Sequence, residues 1–251
     1  MSVILEVTGL TKHFRGLQAV SSLDFTVTSG EIMGIIGPNG AGKTTVFNLL
    51  TGFLIPTSGN IIFKGESIVG KKPHEIVHQG IARTFQVVRP FHQMTVLDNV
   101  VLPHLSPKNR KRNKNRRENE KHAARILDQV GLANKMYLLA GVLSHGELRR
   151  LEVARALATS PDLILLDEPF SGLALPEIDP LSLLIKGLRE TGLNIIIIEH
   201  RLRELMKLIE RILVINFGLK IADGTPEEIA KDEKVIEAYM GKKVGLADVS
   251  Y

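Results

Sequence analysis

The sequence contains no cysteine, which excludes a disulfide framework, a thiol nucleophile and a thiolate metal site. It also lacks any uncharged apolar stretch of about 18 residues, the length that typically spans a bilayer. The first residues, Met1 to Val7, have neither the basic region nor the apolar region of a signal peptide. We therefore expect a chain that is neither secreted nor membrane-spanning by itself and that works in a reducing cytoplasm.

Positive charge is modest overall and concentrated in one place. The formal net charge is +5, and a basic run extends from Pro107 to Arg117. Such a run is usually a solvated loop or a helix end. Contact with anionic lipid head groups, an acidic partner or a nucleic acid is the alternative.

The 251 residues are at the upper end of the size of one domain, so an inserted subdomain is favoured over two independent folds. Helical spacing without strand candidates predicts that residues 93–158 form the insertion, with helices over 94–101, within 115–130 and over 146–159. Residues 1–92 and 159–240 are expected to form the core, and residues 241–251 a C-terminal tail.

Apolar runs predict the strands of this core. Those at 5–8, 23–27 and 32–36 are bounded by turn residues and indicate an antiparallel flank. Those at 163–166 and 194–198 are continuous, as in parallel strands covered on both faces, and residues 176–191 supply the crossover helix. Ligands gather at the carboxyl ends of such strands, which here carry Asp167, Glu168, Glu199 and His200.

The segment GPNGAGKTT fits the pattern of a loop that holds the phosphates of ATP or GTP. Glycines let consecutive backbone N–H groups point at phosphate oxygens, Lys43 reaches the β- and γ-phosphates, and the Thr44 hydroxyl is placed to hold Mg²⁺. A strand precedes the loop and a helix follows it, so the positive end of the helix dipole faces the anion. The predicted nucleotide-binding residues are Gly37, Pro38, Asn39, Gly40, Ala41, Gly42, Lys43, Thr44 and Thr45.

Two further motifs narrow the function. A buried strand ends in Asp167, which would support the hydration shell of Mg²⁺, and Glu168, which would polarise an attacking water. The segment LSHGELRR begins a helix near Ser144, a residue suited to an N-cap or to a phosphate-facing hydroxyl.

Together with His200, these motifs resemble those of the ATP-binding cassette (ABC) ATPases, whose signature helix opens with a Leu-Ser-Gly-Gly-Gln type of sequence. The resemblance spans nearly the whole chain. It implies an α/β P-loop NTPase fold, with a RecA-like parallel-sheet core, an antiparallel β flank and an inserted α-helical subdomain. It also implies ATP and Mg²⁺ as cofactors and ATP hydrolysis as the activity.

The resemblance assigns roles to further positions. Phe14 resembles the aromatic residue that stacks on adenine, Gln86 the glutamine near Mg²⁺, and His200 the histidine that contacts the γ-phosphate. In this family two cassettes sandwich two ATP molecules head to tail, so Ser144 and Gly146 would serve the nucleotide of the other subunit. The implied catalytic residues are Glu168, His200 and Gln86, and the implied metal site consists of Thr44, Gln86 and Asp167.

Three positions depart from the family pattern. His145 and Glu147 replace the usual glycine and glutamine of the signature, and Ala174 stands where many members have aspartate. We expect Glu147 to bring negative charge near an anion site and Ala174 to lack side-chain hydrogen bonds between the two sites. Both changes would weaken contacts across a dimer.

A finer resemblance is to the ATPase subunits of branched-chain and hydrophobic amino-acid importers. It rests on the segments RTFQ at 83–86, FHQMTVLDNV at 91–100 and VIEAYMG at 235–241. It implies a peripheral position at the inner face of the cell membrane, a second ABC subunit, a membrane permease and, indirectly, a substrate-binding protein. The segment 87–100 is expected to form the wall of a groove for a permease helix. Similar cassettes serve urea uptake and lipopolysaccharide export, which stay open as alternatives.

Other functions fit the sequence less well. The segment His74 to His78 matches the H-E-x-x-H pattern of zinc proteases, but it is short and has no evident third ligand. A GTPase would need Asn-Lys-x-Asp, whereas the segment at 134–137 is NKMY. The single cassette and its short insertion argue against translation factors and DNA-repair ATPases. No nucleic-acid partner is expected, although the basic run leaves that role as an alternative.

Overall fold

The structure, a computed structural model, describes residues 2–86, 89–105 and 116–240, and their strands form two sheets. The first sheet is antiparallel with the order β2-β1-β4-β5, where the strands are β1 Val3–Phe14, β2 Leu17–Thr28, β4 Ser58–Phe63 and β5 Glu66–Ser67. Strands β1 and β2 are much longer than the predicted short strands. The pairing of β1 with β2 continues through irregular positions, because the register of the pairing shifts there without ending the strands.

The second sheet has the order β10-β9-β3-β8-β7-β6. Its strands are β3 Ile32–Ile36, β6 Ile81–Arg83, β7 Leu163–Asp167, β8 Asn194–Ile198, β9 Arg211–Asn216 and β10 Leu219–Gly224. All pairs are parallel except β9 with β10. Every residue of β7 and β8 is buried, which confirms that the continuous apolar runs at 163–166 and 194–198 are parallel strands covered on both faces. Residues 32–36, which we expected in the antiparallel flank, instead form the fully buried β3, which pairs in parallel with β8 and β9 because its side chains are apolar on both faces.

Two apolar clusters cover the two faces of the parallel sheet. Because successive side chains of a strand point to opposite faces, Met33 and Ile35 join the cluster shared with the antiparallel sheet, while Ile32 and Ile36 join the other. A third cluster consists of side chains between Val96 and Ala158.

The helices are α1 Lys43–Leu50, α2 Pro73–Gln79, α3 Val96–Val101, α4 Arg116–Gln129, α5 His145–Leu157, α6 Leu175–Glu190, α7 Leu202–Met206, α8 Pro226–Ile229 and α9 Glu233–Met240. Short 3-10 helices occur at Leu102–Leu105, Ala133–Lys135 and Ala140–Val142. The predicted helix from residue 94 starts later, because the Thr95 hydroxyl accepts the backbone N–H of Asp98 and caps α3.

None of the helices within the described ranges has the length and apolar character needed to cross a membrane. Positions 107–115 of the basic run, positions 87–88 of the expected permease groove and the tail 241–251 lie outside the described residues.

Candidate nucleotide-binding site

The predicted phosphate loop connects β3 to the first turn of α1. Its backbone is pressed against two neighbouring segments. A Cβ atom on Gly37 would lie 1.9 Å from the carbonyl oxygen of Ile215, and one on Gly42, whose φ is +104°, would lie 2.4 Å from that of Ala19. Only glycine fits at these two positions, so the loop backbone can approach both segments directly before the start of α1.

Lys43 is buried inside this loop. Its Nζ donates hydrogen bonds to the carbonyl oxygens of Gly37 at 2.7 Å and Pro38 at 2.9 Å. Burial lowers the pKa of Lys43, while the nearby carboxylates of Glu168 and Asp167 oppose that shift. The ammonium group therefore lies within the loop and near the two strand-end acids.

Asp167 is held by an arginine that the sequence analysis did not assign. Arg83 of β6 donates to Oδ2 of Asp167 at 2.7 Å, and both side chains are almost fully buried. The same guanidinium reaches the Asn48 side chain of α1 at 2.6 Å. Arg83 thus connects the acid at the end of β7 with the helix that follows the phosphate loop. Arg83 is the first residue of the RTFQ segment that ends in Gln86, and this position is the sequence signal that could have assigned Arg83 to the site.

Two predicted site residues, Gln86 and His200, contact the carboxylate of a third, Glu168. Gln86 Nε2 donates to Oε2 at 2.8 Å, and His200 Nε2 lies 2.6 Å from Oε1. The backbone of Glu168 is left-handed, with φ at +50°, a conformation that costs energy for a residue with a side chain and that clusters at functional sites. Its backbone N–H donates to the carbonyl oxygen of Ile198 at 2.8 Å, which ties the ends of β7 and β8 together.

Glu199, which also ends a strand, acts on the neighbouring loops. Its buried carboxylate accepts the backbone N–H groups of Phe170, His200 and Arg201. Burial raises the pKa of Glu199, and these three donors offset only part of that rise. Glu199 therefore sets the direction of the two segments that leave β7 and β8.

Two adjoining cavities surround this constellation. One, of 620 Å³, is lined by Phe14, Leu17, Gln18, Ala19, Asn39, Gly40, Ala41, Gly42, Lys43, Thr44, Thr45, Glu168, His200 and Phe217. The other, of 520 Å³, is lined by Gly37, Pro38, Asn39, Gln86, Glu168, His200, Leu202, Ala238 and Tyr239. Phe14 is 41 % exposed at the rim of the first cavity, with the Lys12 ammonium 5.3 Å from its ring centre.

Tyr239 is a second residue of this region that the sequence analysis left without a role. Its helix, α9, brings the hydroxyl to the backbone amide of Gly37. Burial raises the pKa of Tyr239 to about 12, against the opposing effect of that amide. The C-terminal helix therefore packs directly on the phosphate loop.

The signature residues are located elsewhere. Ser144 and Gly146 line neither cavity. Ser144 is exposed and is the N-cap of α5, with its hydroxyl accepting the backbone N–H of Glu147 at 3.3 Å. The structure thus confirms Ser144 as an N-cap and leaves its hydroxyl at the surface of the chain.

Glu147 does not present a free negative charge, contrary to our expectation. Its Oε1 lies 2.5 Å from Nζ of Lys135, and its Oε2 accepts the backbone N–H of Ser144. Although partial burial would raise the pKa of Glu147, Lys135 and the Ser144 amide lower it overall. The carboxylate completes a capping box and is neutralised by Lys135.

The start of α5 contacts the segment that follows Glu168. His145 Nε2 lies 3.3 Å from the carbonyl oxygen of Ser171. Glu177 accepts the backbone N–H of Gly146 at 3.3 Å through Oε1 and that of Ala174 at 3.0 Å through Oε2. Glu177 therefore joins the starts of α5 and α6, at a position where Ala174 itself offers no side-chain acceptor.

The H-E-x-x-H segment lies on α2, where the rings of His74 and His78 are 6.1 Å apart. Within residues 2–86, 89–105 and 116–240, no three metal-ligating side chains cluster. Ile76 is the buried residue of this helix. These contacts describe a surface helix anchored by one apolar side chain.

Comparisons with known proteins agree with this geometry. A family model described as "ABC transporter" matches residues 20–171, and one described as "Branched-chain amino acid ATP-binding cassette transporter" matches residues 220–244. The chain is 43 % identical over 250 residues to the high-affinity branched-chain amino acid transport ATP-binding protein BraF of Pseudomonas aeruginosa, covering 95 % of this chain and 98 % of that protein. It is 40 % identical, with the same coverage, to LivG of Escherichia coli, which carries the same description.

Similarity extends to a second kind of transport protein and to solved structures. The lipopolysaccharide export system ATP-binding protein LptB of Haemophilus influenzae is 36 % identical over 248 residues, covering 97 % of this chain and 99 % of that protein. The crystal structure of the ADP conformation of an ATP-binding cassette of an ABC transporter superimposes with a TM-score of 0.88 at 34 % identity, covering 96 % of this chain and all of the other. These matches confirm the predicted P-loop NTPase fold.

Proposed function

The chain belongs to the ABC transporter family and is a nucleotide-binding ATPase of that family, and on this basis we propose that it energises the import of branched-chain or other hydrophobic amino acids through a separate permease. The observation that supports this substrate class is the match to branched-chain amino-acid cassettes along the full length, including the C-terminal residues 220–244. The similarity to LptB makes lipopolysaccharide export the second candidate.

We assign ATP to the cavity beside the phosphate loop. The residues fit this ligand, because Asn39 to Thr45 of the loop and of the start of α1 line the cavity, and Lys43 adds a buried positive charge. Thr44, Gln86 and Asp167 would hold Mg²⁺, which neutralises phosphate charge when bound. Asp167, oriented by Arg83, would order the water around the metal.

For hydrolysis, Glu168 would accept the proton of the attacking water. Its carboxylate is preorganised by Gln86 and His200, whose side chains contact one oxygen each. His200 is half exposed towards the cavity and would turn to the γ-phosphate when ATP enters. Glu168 would thus stay in place as the base, while Gln86 and His200 would give up their contacts with it to bind Mg²⁺ and the γ-phosphate.

Ser144 and Gly146 would act on the ATP of a second cassette, arranged head to tail. They lie outside both cavities of their own chain, and Ser144 exposes its hydroxyl at the start of a helix of 13 residues, where an anion is favoured. The assembly would contain a homo- or heterodimer of cassettes on the inner face of the membrane, a permease and, indirectly, a substrate-binding protein. No nucleic acid takes part in this scheme.

The test is reconstitution of the chain with its co-purifying permease and substrate-binding protein in liposomes. We expect ATP-dependent uptake of labelled leucine that unlabelled isoleucine and valine inhibit and urea does not. The matched control is the same complex with Glu168→Gln, which should assemble and fail to transport. ATP-dependent release of lipopolysaccharide without amino-acid uptake would favour the second candidate instead.

A further inference from the structure

The turn between β9 and β10 carries a residue that its own geometry disfavours. Phe217 and Gly218 are its two central residues, with φ values of +47° and +79°, and Asn216 pairs with Leu219 across the hairpin. Positive φ at both central positions defines a type I′ turn, which strongly prefers Asn-Gly. A phenylalanine at the first of them strains the backbone, and its ring is 82 % exposed. Neither the residue preference of the turn nor packing in the core explains why a phenylalanine stands at position 217.

The turn is fixed to the phosphate loop. Gly218 donates its backbone N–H to the carbonyl oxygen of Ala41 at 2.9 Å and accepts that of Ser21 at 2.9 Å. A Cβ atom on Gly218 would lie 2.8 Å from the carbonyl oxygen of Ala19, the same atom that excludes a side chain at Gly42. Phe217 is therefore held at a set position next to the C-terminal half of the loop.

Phe217 lines the 620 Å³ cavity beside the phosphate loop, here called the nucleotide cavity, together with two other exposed apolar side chains. Phe14 is 41 % exposed and Leu17 is 69 % exposed, and all three line the cavity that also contains Lys43 and Thr44. Lys43 and Thr44 suit a charged phosphate chain, whereas the apolar group suits a flat aromatic base. Exposed apolar side chains grouped at a cavity rim mark a surface that a ligand covers.

We propose that Phe217 is a second apolar wall for the base of the bound nucleotide, in addition to Phe14. This inference rests on the proposed ATP site and adds a residue from the β9–β10 turn to it. Contact with the face of a ring does not depend on hydrogen-bonding groups at the edge of the base, so the wall contributes similarly to ATP and GTP. It contributes nothing to a triphosphate without a base.

The variant Phe217→Asn separates this role from a structural one, because the two roles predict opposite changes. Asparagine suits the left-handed first position of a type I′ turn, so the variant should unfold at a higher temperature than the wild type. It should nevertheless bind ATP and GTP about 5-fold more weakly or worse, since it loses a stacking contact. Phe217→Tyr keeps the ring and should bind normally.

The measurements are calorimetric titrations with ATP, GTP and inorganic tripolyphosphate, together with thermal unfolding. Leu219→Asn is the matched control, because Leu219 is also an exposed apolar residue of this hairpin but does not line the cavity. The variant Lys43→Ala tests whether the cavity beside the phosphate loop is the ATP site. We expect Leu219→Asn to bind normally, Lys43→Ala to lose all three ligands, and Phe217→Asn to keep its affinity for tripolyphosphate.

Any of three binding results would overturn the inference while leaving the proposed function intact: wild-type ATP affinity in Phe217→Asn, an equal loss of ATP affinity in Leu219→Asn, or an equal loss of affinity for tripolyphosphate in Phe217→Asn. Undiminished ATP binding by Lys43→Ala would instead contradict the ATP site from which the inference starts. A weaker fold in Phe217→Asn, with affinity restored by added osmolyte, would identify a structural role and also overturn it.

Discussion

The phosphate end of the core and the signature end of the helical segment hold their functional residues in different ways. In the core, Lys43 is buried, and Glu168 is already in contact with Gln86 and His200. At the signature, Ser144 is exposed, and its hydrogen bonds are local caps within α5. Under the proposed function, the core site is completed within one chain and needs side chains that a sheet brings together, whereas the signature would meet the ATP of a second cassette and needs only an accessible helix start.

The two regions also differ in their interiors. All three clusters are apolar, and both regions also bury polar side chains: Lys43, Asp167 and Glu199 in the core, and Asn99, His104 and Asn119 in the helical segment. His104 and His122 face each other with Nε2 and Nδ1 3.1 Å apart. Burial and the charge of His122 lower the pKa of His104 to about 4, and burial and Arg125 lower that of His122. The helical segment should therefore be the more acid-sensitive part of the molecule.

The largest expected effect concerns the core. Glu168→Gln should reduce ATP turnover about 10³-fold, because an amide cannot accept the proton of the attacking water. ATP binding should persist, since the phosphate loop is unchanged, and the protein should collect as an ATP-bound dimer. Steady-state turnover and size-exclusion chromatography with ATP measure both effects. Normal turnover and a purely monomeric profile would contradict the role of Glu168.

The next effect tests the signature end. Ser144→Arg should reduce turnover about 10²-fold by placing a bulky side chain where the nucleotide of the partner would lie, while ATP affinity of the isolated monomer stays unchanged. Ser144→Thr, which keeps a capping hydroxyl, is the control. Mixing Ser144→Arg with Lys43→Ala should restore part of the activity, because one composite site is then intact. If the monomeric Ser144→Arg protein binds ATP as poorly as Lys43→Ala, the signature acts within its own chain.

A smaller effect should distinguish the two interiors by pH. The folded-state pKa of His104 lies below the unfolded value of about 6.5, so its stabilising effect is present above pH 6.5 and is lost as the pH falls towards 4. His104→Gln, which keeps a polar atom near the Nε2 position, should reduce this acid-induced loss in the free energy of unfolding by about 1–3 kcal/mol. Chemical denaturation at pH 7 and pH 4.5 measures it. An equally steep loss in the variant would place the acid sensitivity elsewhere.

The smallest effect on the isolated chain is expected at Phe91, where the two regions adjoin. Its ring is 45 % exposed beneath the Arg155 guanidinium, and the buried Asn99 side chain holds its backbone N–H and carbonyl groups. Phe91→Asp should therefore change basal ATPase activity by no more than about twofold, as is usual for a surface substitution. It should abolish association with the permease if this loop belongs to the docking groove.

Co-purification with the permease and thermal unfolding check this prediction. Normal assembly and transport by Phe91→Asp would contradict the docking role, and an unfolded variant would show that the ring packs the helical segment. Val96 is the contrasting position: it is fully buried in the third cluster, so its replacement by aspartate should unfold the protein.

The nucleotide loop, the central strands and the capping serine were predictable from sequence because each depends on contiguous residues. Gly37 to Gly42 form a loop before α1 whose backbone requirements are visible in the glycine spacing, and the continuous apolar runs of β7 and β8 indicate burial on both faces. The length of β1 was not predictable, since register shifts across the hairpin keep its irregular residues in the ladder.

What the sequence by itself determined is the set of chemical groups and their attachment to strand ends and helix starts. Tertiary structure decided which groups meet: Arg83 with Asp167 across 84 positions, Gln86 with Glu168 across 82, and Glu147 with Lys135, whose charge overturned our expectation for the signature. It also brought Phe217 to the nucleotide cavity by fixing a distant turn to the phosphate loop. The physical reason is that propensity and periodicity act over a few residues, whereas ion pairs and cavity walls depend on contacts between segments that the chain keeps far apart.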